Sequence, residues 1–310
     1  MHRYFLTYFL GASPIAEKGF FKQTPPELIH PVRSIRNSHL GYVNRPQDDV
    51  NVTVYSSLKH YVKMISNGIT KKHLYSPSEF YGPVRLRGQE SYLDYPSQGI
   101  EYLEFRVFDI NPFEPNGISS ETLIFLKTYL LSLFVNTVEP QNMRSALKKS
   151  FDDNDRVALE SPDKKSCMEA EMRKLVTDLN KTVTMLDASD QVFQVIQRIS
   201  RMIDHPELTP SGRLSQLMVN NSLQKFGSQQ ALKFKQTRAN QPTVLPALAD
   251  YSNGVQQLIK LLIEIGVKYK LISKNKLQVS FENHKYEIDL SSVTEANFEN
   301  QTRTMFPQLF

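Results

Sequence analysis

The sequence has one cysteine, Cys167, and no tryptophan in 310 residues. A single thiol cannot close an internal disulfide, and it excludes a Cys-x-x-Cys metal site. Lys164, Lys165 and Ser166 beside it could lower its pKa, but no base accompanies it, and an inert thiol near a helix start is the plainer reading. Long hydrophobic runs are also missing. The best candidate, Leu123 to Val135, is broken by Lys127, Thr128 and Ser132 and reads as a buried helix. Tyr4 to Leu10, after Met1-His2-Arg3, faintly imitate a signal peptide. The stretch is short, aromatic and contains Thr7, so a core helix is expected. Neither sign of charge dominates: 37 Lys and Arg against 32 Asp and Glu leave +5, spread along the chain, which suits anionic small molecules as well as nucleic acid. The nearest approach to a basic-aromatic patch, Lys233 to Arg238, reads as a solvated helix face. No nucleic-acid or membrane partner is therefore expected, and the location expected is cytoplasmic.

What is present begins with Gly99 to Pro115, GIEYLEFRVFDINPFEP. Alternation places Ile100, Tyr102, Glu104, Arg106 and Phe108 on one face of a strand, and Leu103, Phe105 and Val107 on an apolar face suited to a core. Opposite charges thus share a face two residues apart. They form either a structural ion pair or a grip on a metal and an anionic phosphate, and spacing alone favours the ion pair. Two further stretches weigh against that reading. Residues 31 to 44, PVRSIRNSHLGYVN, gather Arg33, Arg36, Asn37, Ser38 and His39 with little apolar content, and Ser78 to Gly88 places Glu79, Tyr81, Arg85 and Arg87 around a Gly-Pro turn.

Taken in order, residues 3 to 10 form an apolar helix ending at Gly11, and Ala16 to Pro31 is an irregular excursion. Asn51 to Tyr55 alternates as a short strand, a helix follows from Ser56 to Ile65, and strands are expected near 83 to 87 and over 100 to 108. From Ser119, a capping residue, a helix runs to Val135. Glu139 to Asp163 is polar and is expected to be a loop or insertion. Met168 to Leu186 and Val192 to Ile203 carry amphipathic stripes, and Thr209-Pro210 opens a helix through Leu223. After a linker-like Gln241 to Pro246 come a helix, Gly254 to Ile265, and three strand-like runs, 267 to 272, 276 to 281 and 284 to 290.

FLGASP (9 to 14), RNSHLGYVN (36 to 44), EFYGPVR (79 to 85) and GIEYLEFRVFDINPF (99 to 113) together resemble the glutamate-cysteine ligase family, also called γ-glutamylcysteine synthetase. The likeness is in particular to the ligase half of the bifunctional glutathione-synthesising fusion proteins, detailed from about residue 3 to 137 and weaker to about 250.

The resemblance implies an α+β fold, a partial glutamine-synthetase-like antiparallel sheet backed by a C-terminal helical block. Residues 1–240 would be the C-terminal part of the catalytic domain. Residues 241–310 would be a linker and a small α/β segment of the kind that precedes an ATP-grasp domain. It implies ATP-dependent joining of the γ-carboxylate of L-glutamate to the amine of L-cysteine through γ-glutamyl phosphate, with ATP and Mg²⁺ or Mn²⁺. Glu104 matches a metal-ligand glutamate, with Glu79 a weaker candidate. Arg106 would stabilise the transferring phosphoryl group, Arg36 would bind glutamate or its phosphate, and Tyr42 and Tyr81 would lie toward the amino-acid pockets. Arg33 and Arg85 lie beside matched positions. His39 departs from a position often acidic in the family and reads as a solvated loop histidine. The likeness starts in mid-pattern, which raises the expectations of a segment supplied separately and of a chain inactive alone. A non-catalytic remnant, a split ligase and a related carboxylate-amine ligase with another acceptor are the alternatives.

Overall fold

Arg3–Leu10 (α1) carries Tyr4, Phe5, Leu6, Thr7, Tyr8, Phe9 and Leu10, all buried. A helix apolar on every side can only lie inside a core, and this one is surrounded by helices. The computed structural model of the chain describes residues 2–41, 57–80, 82–136, 142–218, 222–240 and 248–310. Its fold mixes helices with small antiparallel sheets, in two compact units, Met1–Leu232 and Lys233–Phe310.

In the first unit, Leu58–Thr70 (α2) precedes the antiparallel strands Val84–Arg87 (β1) and Tyr102–Phe105 (β2). The helices Ser120–Asn136 (α3), Met143–Ala158 (α4), Glu169–Met185 (α5), Asp190–Asp204 (α6), Pro210–Leu217 (α7) and Leu223–Asn240 (α8) follow, the last running past the unit boundary. The stripes expected for α5 and α6 form the core around α1: Met172, Val176, Leu179 and Val183 from one, Val195, Ile196, Ile199 and Ile203 from the other. Phe125 and Tyr129 of α3 complete it, with Phe5 5.7 Å and 5.5 Å from their rings. A smaller cluster, Tyr61, Ile65, Leu74, Phe80 and Tyr95, packs α2 beneath β1, where the Tyr95 hydroxyl donates to the carbonyl of Leu86 at 2.8 Å.

In the first unit the structure departs from the sequence reading in three places. The polar stretch 139 to 163 holds α4, whose buried face carries Ser150, Asp153 and Asn154 beside Val157 and Ala158. Asn154 accepts from the Thr7 hydroxyl (2.7 Å) and donates to the carbonyl of Asn37 (2.8 Å). This helix buries hydrogen bonds instead of an apolar stripe, so periodicity missed it. Strand 100 to 108 shrinks to β2 because its pairing ends where Arg106 N–H bonds the Pro83 carbonyl; beyond that point side chains of residues 36 and 37 take the backbone carbonyls. Val107 reaches the core as expected, but Tyr102 and Leu103 are exposed. The helix from Pro210 ends at Leu217, where Met218 turns to extended geometry. The expected strand 51 to 55 and the linker 241 to 246 lie outside the described residues.

In the second unit, Asn253–Glu264 (α9) is capped by Ser252, whose hydroxyl accepts from Val255 N–H. Lys268–Ser273 (β3), Lys276–Phe281 (β4) and His284–Asp289 (β5) form an antiparallel sheet in chain order. Phe298–Met305 (α10), with no counterpart in the sequence reading, leads to Phe306, which is fully buried against Tyr286 (5.3 Å) and Phe281 (6.5 Å). Leu258, Ile259 and Leu262 of α9 meet Leu277, Val279 and Ile288 of the sheet in one core.

Candidate active site

Three of the four sequence stretches singled out above converge on one carboxylate. A parallel bridge joins Ser13 to Ser34, and the N–H groups of Arg33 and Ser34 both donate to the carbonyl of Ala158, so the last turn of α4 is satisfied by the strand it supports. Gly11 is required where these segments cross, because a Cβ there would meet the carbonyl oxygens of Thr7 at 2.6 Å and Arg33 at 2.9 Å. Asp109, 3% exposed at its side chain, lies beneath the crossing. Its Oδ2 accepts from Ala12 N–H (2.7 Å), Ser13 Oγ (2.8 Å) and Ser34 Oγ (2.7 Å).

Around this hub, the motif at 36 to 38 grips the backbone leaving β2. Arg36 donates through Nη1 to the Phe108 carbonyl (3.1 Å) and through Nη2 to that of Arg106 (2.6 Å), while Nη1 lies 3.5 Å from Asp109 Oδ1. Asn37 Nδ2 donates to the Val107 carbonyl (3.0 Å) and to Ser34 Oγ (3.0 Å). The Arg36 side chain is 44% exposed, so part of it is open to a ligand.

Next along the chain, the β1–β2 register pairs Arg85 with Glu104 and Arg87 with Tyr102, which places Arg85, Arg87 and Glu104 on one sheet face. Glu104 is bracketed: Oε1 accepts from Arg106 Nε at 2.7 Å and Oε2 from Arg87 Nε at 2.6 Å. The Arg106 bond, then the Arg87 bond, hold its carboxyl below the usual range. Arg85 donates to Ser78 Oγ at 3.2 Å, and burial and then the charges of Arg87 and Arg106 lower its pKa. Burial pushes Tyr61, which feels all three arginines, up to about 12. Three guanidiniums around one carboxylate leave a surplus of positive charge fit for phosphate or carboxylate, and Arg36 meets the same segment at the Arg106 backbone carbonyl.

The predicted residues thus separate. Arg36, Glu104 and Arg106 come together along 104 to 109. Glu79 is elsewhere engaged, its Oε2 accepting from Tyr75 N–H at 2.7 Å. Both Glu104 oxygens are taken by arginines, and among the described residues no group of three or more His, Cys, Asp or Glu could hold a metal ion, so a divalent cation at Glu104 would have to displace an arginine or share its carboxylate with substrate phosphates. Tyr42 and Tyr81 lie outside the described residues. Arg33 is structural: fully buried, 4.2 Å over the Tyr8 ring, with Nε 3.2 Å from Glu160 Oε2 and further bonds to the carbonyls of Pro162 and Lys164. His39 is half-exposed but bonded, with Nδ1 2.9 Å from Asp155 Oδ2. The Cys167 thiol is pushed up, first by burial and then by Glu160, in keeping with inertness. Sequence reasoning missed the hub role of Asp109 and the clasp of Arg87. Asp109 sits in the VFDINPF segment, where its signal was an acid among apolar residues; Arg87 showed its partner only through strand register.

The glutamate-cysteine ligase family model matches residues 1–157. The chain is 35% identical over 274 residues to the glutathione biosynthesis bifunctional protein GshAB of Streptococcus agalactiae, covering 88% of this chain and 36% of that protein, and 28% identical to its Enterococcus faecalis namesake, covering 99% and 39%. It therefore spans little more than a third of the length of these curated relatives. Among solved structures, a bifunctional glutathione synthetase from Pasteurella multocida superimposes with a TM-score of 0.77 at 26% identity, covering 93% of this chain and 38% of that one. A glutamate-cysteine ligase from Francisella tularensis, solved with AMP, shares the fold with a TM-score of 0.68 at 19% identity, covering 97% and 66%. No helix among the described residues is long and apolar enough to cross a membrane. With residues 1–157 matched by the family model and 35% identity to a curated relative over 88% of this chain, the chain belongs to the glutamate-cysteine ligase family.

Proposed function

We propose that this chain carries the arginine-lined part of a site that joins the γ-carboxylate of L-glutamate to the amine of L-cysteine at the expense of ATP, the first step of glutathione biosynthesis. The γ-carboxylate oxygen attacks the terminal phosphorus of ATP and ADP leaves. The cysteine amine then adds to the acyl carbon of the resulting γ-glutamyl phosphate, loses a proton and expels inorganic phosphate. Each stage develops negative charge that fixed guanidiniums stabilise without reorganisation. The observation that carries this reading is the surplus of guanidinium along 85 to 106, set beside the half-exposed Arg36.

In this reading Arg106 faces the transferring phosphoryl group and Arg36 binds the glutamate carboxylate or its phosphate. Glu104 fixes the two arginines it brackets. Tyr42 and Tyr81 are assigned to the amino-acid pockets as wall and hydroxyl. A divalent cation at Glu104 would have to displace one of the arginines bonded to its carboxylate or share that carboxylate with substrate phosphates. Metabolites such as ATP and cysteine fit a cytoplasmic location. Sheet strands beyond β1 and β2, of the glutamine-synthetase-like kind, and a separate N-terminal ligase segment as partner belong to the same proposal, as does the division into a ligase part, 1–240, and a following α/β segment.

The test is coupled ADP release with glutamate, cysteine and magnesium, on the chain alone and mixed with the remaining ligase region of a curated relative supplied as a separate polypeptide. ADP release and γ-glutamylcysteine that need both amino acids are expected, with Arg106→Ala lowering kcat by about 10³. Turnover indifferent to glutamate, or unaffected by Arg106→Ala, would overturn the reading.

A further inference from the structure

We propose that Asp109 is a positioning residue for Arg36, holding that guanidinium in the orientation in which it meets the substrate's anionic group. The inference rests on the reading of Arg36 given above. Asp109 Oδ2 is saturated by three donors from two different segments, which fixes the plane of the carboxylate. Oδ1 is buried without a hydrogen bond and faces Arg36 Nη1 at 3.5 Å. A buried carboxylate oxygen left without a hydrogen bond is costly unless a charge compensates it, and Arg36 is the cation beside it. The same guanidinium is forked onto the carbonyls of Phe108 and Arg106, so one edge is held by the chain leaving β2 and one corner by Asp109, while part of the side chain stays exposed. A guanidinium has five N–H donors, and the forked bonds leave donors for an anion arriving from solvent. Asp109 touches no substrate in this arrangement; it acts through Arg36.

Asp109→Asn separates this role from a general structural one. Ala12 N–H, which can only donate, obliges the amide oxygen to occupy the Oδ2 position, so the amide nitrogen takes the place of Oδ1 and presents hydrogens to Arg36 Nη1. Donor then faces donor, and the guanidinium turns away. If Asp109 only diluted the positive charge of Arg36, its removal would strengthen anion binding and lower the glutamate KM. Positioning demands the opposite sign.

The experiment has two readouts on the full chain, assayed as for the proposed function. Phenylglyoxal labelling of each arginine, followed by mass spectrometry, is expected to rise at least threefold at Arg36 in Asp109→Asn and to stay unchanged at Arg213. Glutamate KM is expected to rise about tenfold with kcat within threefold, and Arg36→Ala combined with Asp109→Asn should be no worse than Arg36→Ala alone. Unchanged labelling, a lowered KM, or additive effects in the double variant overturn the proposal. If Arg36→Ala itself leaves the glutamate KM unchanged, the reading of Arg36 fails and the proposed role of Asp109 falls with it, whatever the labelling shows. Should Asp109→Asn lose its cooperative thermal transition, Ser34→Ala decides instead: it removes one bond that aims the carboxylate, and it must raise Arg36 labelling at least twofold or the proposal is wrong.

Discussion

At the scale of single residues, the site is governed by what each charge is already bonded to. Glu104 and Arg106 were legible as a pair because strand alternation puts residues two apart on one face, and the structure bonds them at 2.7 Å. Spacing could not reveal the second guanidinium, Arg87, because cross-strand partners are chosen by register. The Glu104 carboxylate is about a third exposed, and ion pairs of that kind contribute little to stability. Glu104→Gln is therefore expected to lower turnover at least 100-fold while shifting the thermal midpoint by less than about 3 °C, since a loss of about 1 kcal/mol or less moves the midpoint only a few degrees in a domain this size. Scanning calorimetry beside steady-state kinetics checks both halves. A variant that melts early and keeps its activity would reverse the assignment.

At the scale of elements, α4 shows how a helix escapes pattern reading. Its inward face pairs Asn154 with Thr7 and Asn37 and ties its last carbonyl to the segment that carries Arg36, so the helix is buried through hydrogen bonds that exist only once α1 and residues 33–37 are in place. Asn154→Ala strands the hydroxyl of Thr7 and leaves the carbonyl of Asn37 only the longer bond from Arg3 at 3.4 Å, and a buried unpaired group costs about 1–3 kcal/mol. Urea unfolding should show a loss of roughly that size, against less than about 0.5 kcal/mol for the exposed Asp152→Ala on the same helix. Equal effects would mean that α4 is not pinned by this network. The amphipathic helices α5 and α6 were legible for the converse reason: their apolar stripes are intrinsic to the sequence and need no partner to be seen.

At the scale of the whole molecule, acid is expected to undo the first unit in two stages. Burial is the main reason that His2 titrates at about 4 rather than 6.5. Between those values the unfolded chain binds a proton that the native state does not, so stability falls as pH drops from 6.5 to 4, by at most about 3 kcal/mol for that shift. Glu104, Asp163, Glu169 and Asp204 are all depressed by hydrogen-bonding partners; their contribution is present above the ordinary carboxylate values and is lost as pH falls through their lowered native ones. Urea midpoints followed by circular dichroism from pH 7 to 3 should decline mainly between about 6.5 and 4, with a smaller further loss below that from the exposed carboxylates, and His2→Asn should remove the first decline. A flat profile down to pH 4 in the unmodified chain would refute the burial of His2. The same scale separates what was legible from what was not. Periodicity, caps and motif order were sufficient for α1, α3, α5 and α6 of the first core, α9 and the three strands of the second unit, and the residues that mark the family, because each is encoded within its own stretch of sequence. Where Arg36 points, that Asp109 joins residues 12, 13 and 34, that Glu104 is shared between two arginines, and that a polar stretch is a buried helix were decided only by the tertiary structure. Those facts depend on groups about 20 to 150 residues apart whose hydrogen bonds become favourable only after the surrounding core has excluded water.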